Sequence, residues 1–371
     1  MIIKSLELID FRNIENEKIE FTEGVNVIYG DNAQGKTNIL EGIYIFARGR
    51  SFRASKDKEL IKFGKNRAYS LLKYENHSGR GSLGVEISST KPKAFYRNNV
   101  RAAKTSDIIG EFRGVLFCPS HLGIISDSPS VRRSFLDVAI SQLRPVYIKL
   151  LSRYNNYLMN RNAVLKREDS DEKAIIELMD VYSEELSLLC AEISVIREEY
   201  IKKLDFWVKK FFAEMTEGAE IPEISYDANH SLREECGKEE IKEKYLSLYK
   251  GNREREIRYG STLYGIHKDD LKITLNGKDS RLYASQGQQR SLALSMKMAE
   301  GEISRELTGE YPVFLLDDVL SELDEKRRKY IMSSIDKRQV IITACEPSVF
   351  ERAGASIRED ALIRIKEGRK I

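Results

Sequence analysis

The spacing of apolar positions changes twice along the chain. Met1-Ile2-Ile3-Lys4-Ser5-Leu6-Glu7-Leu8 alternates as a half-buried strand does. Residues 68–75, 83–89 and 93–97 read as short strands separated by Gly, Asn, Ser and Pro turns. Val25-Asn26-Val27-Ile28-Tyr29 is a short apolar strand, and residues 38–47 carry a helical apolar face. From about 130 to 250, Pro and Gly become rare and the 3.6-residue period dominates. Leu143, Tyr147, Leu150, Tyr154 and Leu158 line one predicted helix. Ile175, Met179, Leu186, Ile193, Tyr200 and Leu204 line a longer one. The charged run 166–173 predicts a turn between them, hence a helical hairpin inserted between α/β segments. The α/β pattern returns with a strand near 271–277 and a helix near 288–307. Val313-Phe314-Leu315-Leu316 is apolar throughout, as a strand buried on both faces is. A helix near 325–335 and a strand at 339–343 follow.

Composition narrows this picture only slightly. The 371 residues are 41% hydrophobic and 32% charged, enough for one large core or two and not a disordered composition. No apolar run approaches a membrane span, and the first residues lack a signal-peptide core, so a cytoplasmic chain is expected. Cys118, Cys190, Cys236 and Cys345 are scattered without C-x-x-C spacing, which argues against a disulfide framework or zinc site. The net charge of +3 neither demands nor excludes a nucleic-acid partner, so local clusters must decide.

Candidate chemistry begins where the first short apolar strand ends. Gly30-Asp31-Asn32-Ala33-Gln34-Gly35-Lys36-Thr37 fits the phosphate-binding pattern G-x-x-x-x-G-K-[ST] between a strand and a helix. Glycines let the backbone curl so that its N–H groups face phosphate, and the helix N-terminus adds positive potential. Lys36 would reach the β- and γ-phosphates, and Thr37 would offer its hydroxyl to Mg²⁺. Asp317 and Asp318 end the apolar strand at 313. An acid there can hold Mg²⁺, with Asp317 on the metal and Asp318 toward the attacking water. Ser285-Gln286-Gly287-Gln288 precedes an apolar helix and offers a hydroxyl and backbone N–H groups to an anion. Ser321-Glu322-Leu323-Asp324 follows the acidic strand.

That order of motifs resembles the ABC-type ATPase head. The resemblance implies an α/β fold with a mixed sheet and an inserted α-helical domain. It implies a head at 1–125 and 251–371, in two discontinuous lobes, and a helical arm at 126–250. It further implies dimers with two ATP molecules between heads. Ser285, Gln286, Gly287 and Gln288 would then serve the nucleotide of the other subunit, and Asp324 would help pair the sites.

Further segments narrow the resemblance. They are Leu6-Glu7-Leu8-Ile9-Asp10-Phe11-Arg12-Asn13, Arg48-Gly49-Arg50-Ser51-Phe52-Arg53 and Phe117-Cys118-Pro119-Ser120. Arg132-Arg133-Ser134-Phe135-Leu136-Asp137 and Tyr264-Gly265-Ile266-His267-Lys268-Asp269-Asp270-Leu271 complete the set. In this order they resemble the RecF family of bacterial recombination proteins, nearly end to end. The resemblance adds Arg12 and Asn13 to the nucleotide-binding set. It implies an ATP- and Mg²⁺-dependent homodimer that binds single- and double-stranded DNA at gaps. RecO and RecR are the implied partners in loading recombinase, within DNA replication, repair and the SOS response.

Three departures from the wider ABC pattern stand out. Gln286 replaces the second signature residue, Asp318 replaces a longer Glu, and Ala344 stands where transporters place a switch His. A shorter base and no imidazole weaken water activation, so turnover below about 1 per second is expected. ATP would act chiefly as a dimerisation switch, with a weak DNA-stimulated ATPase. The transporter-type metal-shell glutamine is sought in residues 113–120. Arg50, Arg53, Lys56, Arg132 and Arg133 are the first DNA-contact candidates, with 326–329 as a further basic cluster. Few aromatics interleave them, which favours backbone-led contact. A transporter ATPase subunit, or an SMC-like scaffold without useful hydrolysis, remains the alternative.

Overall fold

The computed structural model describes residues 1–166, 172–228, 237–334, 338–346 and 357–371. The chain divides into two compact units. One holds Met1–Ile124, Trp207–Ile221 and Ala284–Ile371, and the other Ile125–Phe206 and Pro222–Tyr283.

The first unit begins with strands β1 (Ile2–Phe11), β2 (Ile14–Glu20) and β3 (Val25–Tyr29) and helix α1 (Lys36–Arg48). Strands β4 (Arg67–Asn76), β5 (Gly79–Ser88), β6 (Ala94–Arg97), β7 (Val100–Arg101) and β8 (Gly114–Phe117) follow. The second unit contains α2 (Pro129–Leu143), α3 (Pro145–Leu165) and most of α4 (Glu172–Thr216). It continues with β9 (Pro222–Asp227), α5 (Lys238–Gly251), α6 (Arg253–Tyr259), β10 (Asp270–Leu275), β11 (Lys278–Asp279) and α7 (Ser280–Tyr283). The chain returns to the first unit with α8 (Gln286–Thr308), β12 (Val313–Asp317), α9 (Glu325–Ser334), β13 (Val340–Ala344), β14 (Leu362–Lys366) and β15 (Arg369–Lys370).

Two six-stranded sheets make the first unit. One is antiparallel, in the order β2-β1-β4-β5-β6-β7. The other runs β15-β14-β3-β13-β12-β8, with β14, β3, β13, β12 and β8 mutually parallel and β15 antiparallel at the edge. Every residue of β12 and β13 is buried, which explains their unbroken apolar sequence. Helix α1 is apolar nearly all round and buried from Ile39 to Ala47. It approaches β1 closely at Gly42, where a Cβ would lie 2.7 Å from Leu8 Cδ2. A parallel sheet collects the C-terminal ends of its strands along one edge, where ligands bind in open α/β folds. The phosphate-loop pattern after β3 and the acids at the end of β12 therefore fall on the same edge, with β13 between them.

In the second unit the motif segments 132–137 and 264–271 meet. Arg132 makes a bidentate pair with Asp270 at 2.7 and 2.8 Å. Arg197 donates to Asp137 at 2.9 Å and to the Ile266 carbonyl at 3.0 Å. Arg161 pairs with Glu256, both fully buried.

The sequence expectation differs in three places. Residues 251–283 cluster with the helical unit, because β10 pairs with β9 there, and 207–221 cluster with the head. The predicted helix around 143–158 begins only at Pro145, which lacks an N–H and opens α3 as its first residue, while Leu143 ends α2. Most of the charged turn predicted at 166–173 lies outside the described residues.

Candidate nucleotide site

The loop from Gly30 to Gly35 leaves β3 and enters α1. Gly30 has φ 147° and Gly35 has φ 109°, conformations that side chains rarely adopt. Space forbids a side chain as well: a Cβ on Gly30 would sit 2.2 Å from the Ile365 carbonyl oxygen. Lys36 Nζ donates to the carbonyls of Gly30 at 2.6 Å and Asp31 at 2.9 Å, so its ammonium lies over the loop. Asn13 donates from Nδ2 to the Gln34 carbonyl at 3.2 Å and accepts from Asn38 at 2.8 Å, bracing the loop from outside.

Asp317 ends β12 and is almost fully buried. Its Oδ1 accepts from Thr37 Oγ1 at 2.8 Å and from Thr343 Oγ1 at 3.0 Å. One carboxylate oxygen thus ties α1 to the adjacent ends of β12 and β13. Burial pushes the Asp317 carboxyl above its ordinary range, against the two hydroxyl donors. The next residue, Asp318, is exposed, has φ 50°, and donates its N–H to Thr343 Oγ1 at 2.9 Å. Thr343 therefore orders both acids, a role that the sequence offered only as the last residue of an apolar strand.

Glu41 is the other functional residue that sequence reading missed. Its carboxylate is fully buried on α1 and accepts from Arg12 Nε at 2.9 Å and Nη2 at 2.8 Å. Arg53 Nη2 reaches it at 3.1 Å and also donates to Asn38 Oδ1 at 2.5 Å. Ser51 Oγ bonds Glu41 as well. Arg12 and Arg53 come together one helical turn from Thr37 because one buried acid collects both. A glutamate in an apolar helix face, with arginines on either side in sequence, is the signal that could have found it.

Ser285 caps α8. Its Oγ accepts from the Gln288 N–H at 3.3 Å, and its own N–H donates to Gln288 Oε1 at 2.6 Å. Ser285 and Gln286 are exposed, so this helix start opens to solvent. Arg327 links it to Asp324: Nη2 donates to the Gly287 carbonyl at 2.7 Å, Nε to Ser291 Oγ at 2.8 Å, and Nη1 pairs with Asp324.

The basic candidates separate. Arg50 and Lys56 are exposed. Arg53 is half committed to Glu41. Arg132 is corrected: its side chain is 5% exposed and locked to Asp270, so it braces the helical unit instead of facing DNA. Arg133 is partly buried and donates to the Asp269 carbonyl at 2.6 Å. In the 326–329 cluster, Arg327 turns inward as described, Lys326 pairs with Glu217 and Lys329 with Glu325. Phe63, absent from the sequence argument, is fully exposed at 102% in the segment after Lys56 and Lys58. The segment 113–120 contains no glutamine, and its residues Gly114–Phe117 form edge strand β8.

Comparison with known proteins places the chain in a family. The family described as RecF/RecN/SMC N terminal domain matches residues 2–370. The DNA replication and repair protein RecF of Geobacillus thermodenitrificans is 38% identical over 370 residues, covering 99% of this chain and 98% of that one. The Clostridium beijerinckii protein of the same name is 42% identical over 344 residues, covering 92% and 91%. A solved structure of the recombination mediator RecF with ATP superposes with a TM-score of 0.91 at 36% identity, covering 100% of this chain and 97% of that one. An SMC head, at 17% identity and a TM-score of 0.55, shares the fold. With an ABC-type ATPase head and relatives matched over nearly its whole length, the chain belongs to the RecF family.

Proposed function

We propose that this chain is an ATP-dependent DNA-binding protein of recombinational repair and replication restart, in which bound ATP joins two heads. The observation that carries the reading is Asp317 Oδ1, held by Thr37 and Thr343 at the edge where the loop 30–35 opens. The parts needed to bind a nucleoside triphosphate thus stand within one hydrogen-bonded cluster.

A hard divalent cation such as Mg²⁺ suits the donor set of one hydroxyl and one carboxylate. Among the described residues, no group of three or more His, Cys, Asp or Glu could hold a metal alone. Phosphate oxygens and water would supply the remaining ligands, as is usual for Mg²⁺. Thr37 and Asp317 would hold the ion, which would neutralise charge developing on the phosphates. Lys36 would leave the Gly30 and Asp31 carbonyls for the phosphates. Asp318, exposed beside this cluster, is the candidate to orient the attacking water.

The residue types at this site favour slow chemistry. Asp318 is a short base, and Ala344 offers no imidazole. ATP then serves better as a joint than as fuel. Ser285 and the open start of α8 would meet the γ-phosphate of the other subunit, with Asp324 and Arg327 beside them. Arg12 and Asn13 act on the nucleotide through Glu41 and Gln34.

For DNA, the exposed segment from Arg50 to Phe63 is the favoured surface, with Arg50, Lys56 and Lys58 toward phosphates and Phe63 toward an unstacked base. The RecF-ATP structure is described as a mediator in the RecFOR pathway, which supports RecO and RecR as partners here. Fluorescence anisotropy with gapped DNA tests the reading. Binding should tighten with Mg²⁺ and ATP in the wild type and not in Lys36→Ala. Binding that ignores ATP would refute the coupling.

A further inference from the structure

We infer that the β14–β15 hairpin is a clamp that aims the phosphate loop, with Gln34 and Gly368 as positioning residues. The inference rests on the reading of residues 30–37 as a phosphate site.

Strand β14 runs parallel beside β3, with Leu362, Ile363 and Arg364 opposite Val27, Ile28 and Tyr29. β3 stops there and becomes the loop, while β14 continues to Lys366. The extra residues lie against the loop, which is why Gly30 has no room for a Cβ beside the Ile365 carbonyl. Glu367 (φ 50°) and Gly368 (φ 77°) then make a two-residue turn into β15.

That turn spends its backbone donors on Gln34. The Glu367 N–H donates to Gln34 Oε1 at 2.5 Å, and the Gly368 N–H to the Gln34 carbonyl at 2.9 Å. Asn13 Nδ2 adds a second donor to that carbonyl at 3.2 Å. In a trans peptide the C=O and the following N–H point in opposite directions. Fixing the Gln34 carbonyl toward the turn therefore aims the Gly35 N–H the other way, into the space where the loop would receive phosphate. The Gln34 side chain is engaged by the turn and is not a phosphate ligand. Only glycine fits at 368, since a Cβ would lie 2.8 Å from the Asn13 carbonyl oxygen and 3.2 Å from its carbon.

The test uses the full chain and compares wild type with Gly368→Val and Gln34→Leu. MgADP and MgATP are titrated by calorimetry, and the Gly35 amide resonance is followed by NMR. Wild type binds and shifts that amide. Both variants should bind about tenfold more weakly, the size of effect that one or two lost hydrogen bonds produce, with a diminished Gly35 shift. Gln34→Leu keeps its carbonyl but leaves the Glu367 N–H without its acceptor and so loosens the turn that carries the Gly368 donor. Wild-type affinity and shift in that variant would overturn the clamp, and it decides alone if Gly368→Val does not fold. A wild type that binds neither nucleotide would instead remove the phosphate-site reading itself.

Discussion

Replacing Glu41 by glutamine tests the arginine cluster at α1. The carboxylate is wholly buried, and burial alone would raise its pKa. Arg12, Ser51 and Arg53 outweigh that cost and hold it below the ordinary carboxylate range, so it is ionised at neutral pH. Glutamine keeps the volume, removes the charge and turns an NH₂ group toward two guanidinium groups. Breaking one partner out of a buried pair costs about 3–5 kcal/mol. Here the side chains of Arg12 and Arg53 are 21% and 40% exposed and recover some hydration, which reduces the expected loss to about 2–3 kcal/mol. The sign with pH follows from the lowered pKa. The stabilisation is present above the unfolded value near 4.5 and disappears as pH falls through the folded value. Urea unfolding of wild type and Glu41→Gln at a series of pH values should give a gap that is widest at neutral pH and closes in acid. A gap below about 0.5 kcal/mol at pH 7, within the range of an ordinary surface substitution, would rule out a stabilising charge at Glu41. So would a gap that does not narrow in acid.

Two other predictions concern the acids and the arginines. Thr343→Val removes the donor to Asp317 and the acceptor of the Asp318 N–H, so ATP turnover should fall roughly tenfold while nucleotide affinity changes less; unchanged turnover in a steady-state phosphate-release assay would remove Thr343 from the site. Arg132→Ala should cost about 3 kcal/mol of stability by stranding Asp270 and leave the salt slope of DNA binding intact, whereas Arg50→Ala with Lys56→Ala should flatten that slope by about one to two units. The reverse pattern would restore Arg132 as a DNA contact.

The sequence was most legible where local chemistry and fold agree. The phosphate loop is contiguous, its glycines answer to backbone geometry, and β12 and β13 announce their burial by composition. What could not be read were contacts made across the sheet. Thr343 matters because β13 lies between β3 and β12, an order that no local pattern encodes. Glu41 looked like one polar position on a helix, and only folding brings Arg12 and Arg53 to it. Arg132 illustrates the opposite error. A basic pair invites a phosphate, but Asp270, 138 residues away, arrives first. The break at Pro145 is written in the sequence, but the helical spacing of Leu143 and Tyr147 spans it.

In the proposed dimer ATP joins two copies of this chain, each site completed by the other's Ser285. Sedimentation velocity of wild type and Ser285→Arg, with and without Mg²⁺ and ATP, measures it directly. Wild type should be monomeric without nucleotide and dimeric with it, and Ser285→Arg, which still binds ATP, should be monomeric under both conditions. Wild-type dimers that form equally without nucleotide, or Ser285→Arg dimers with ATP, would contradict it.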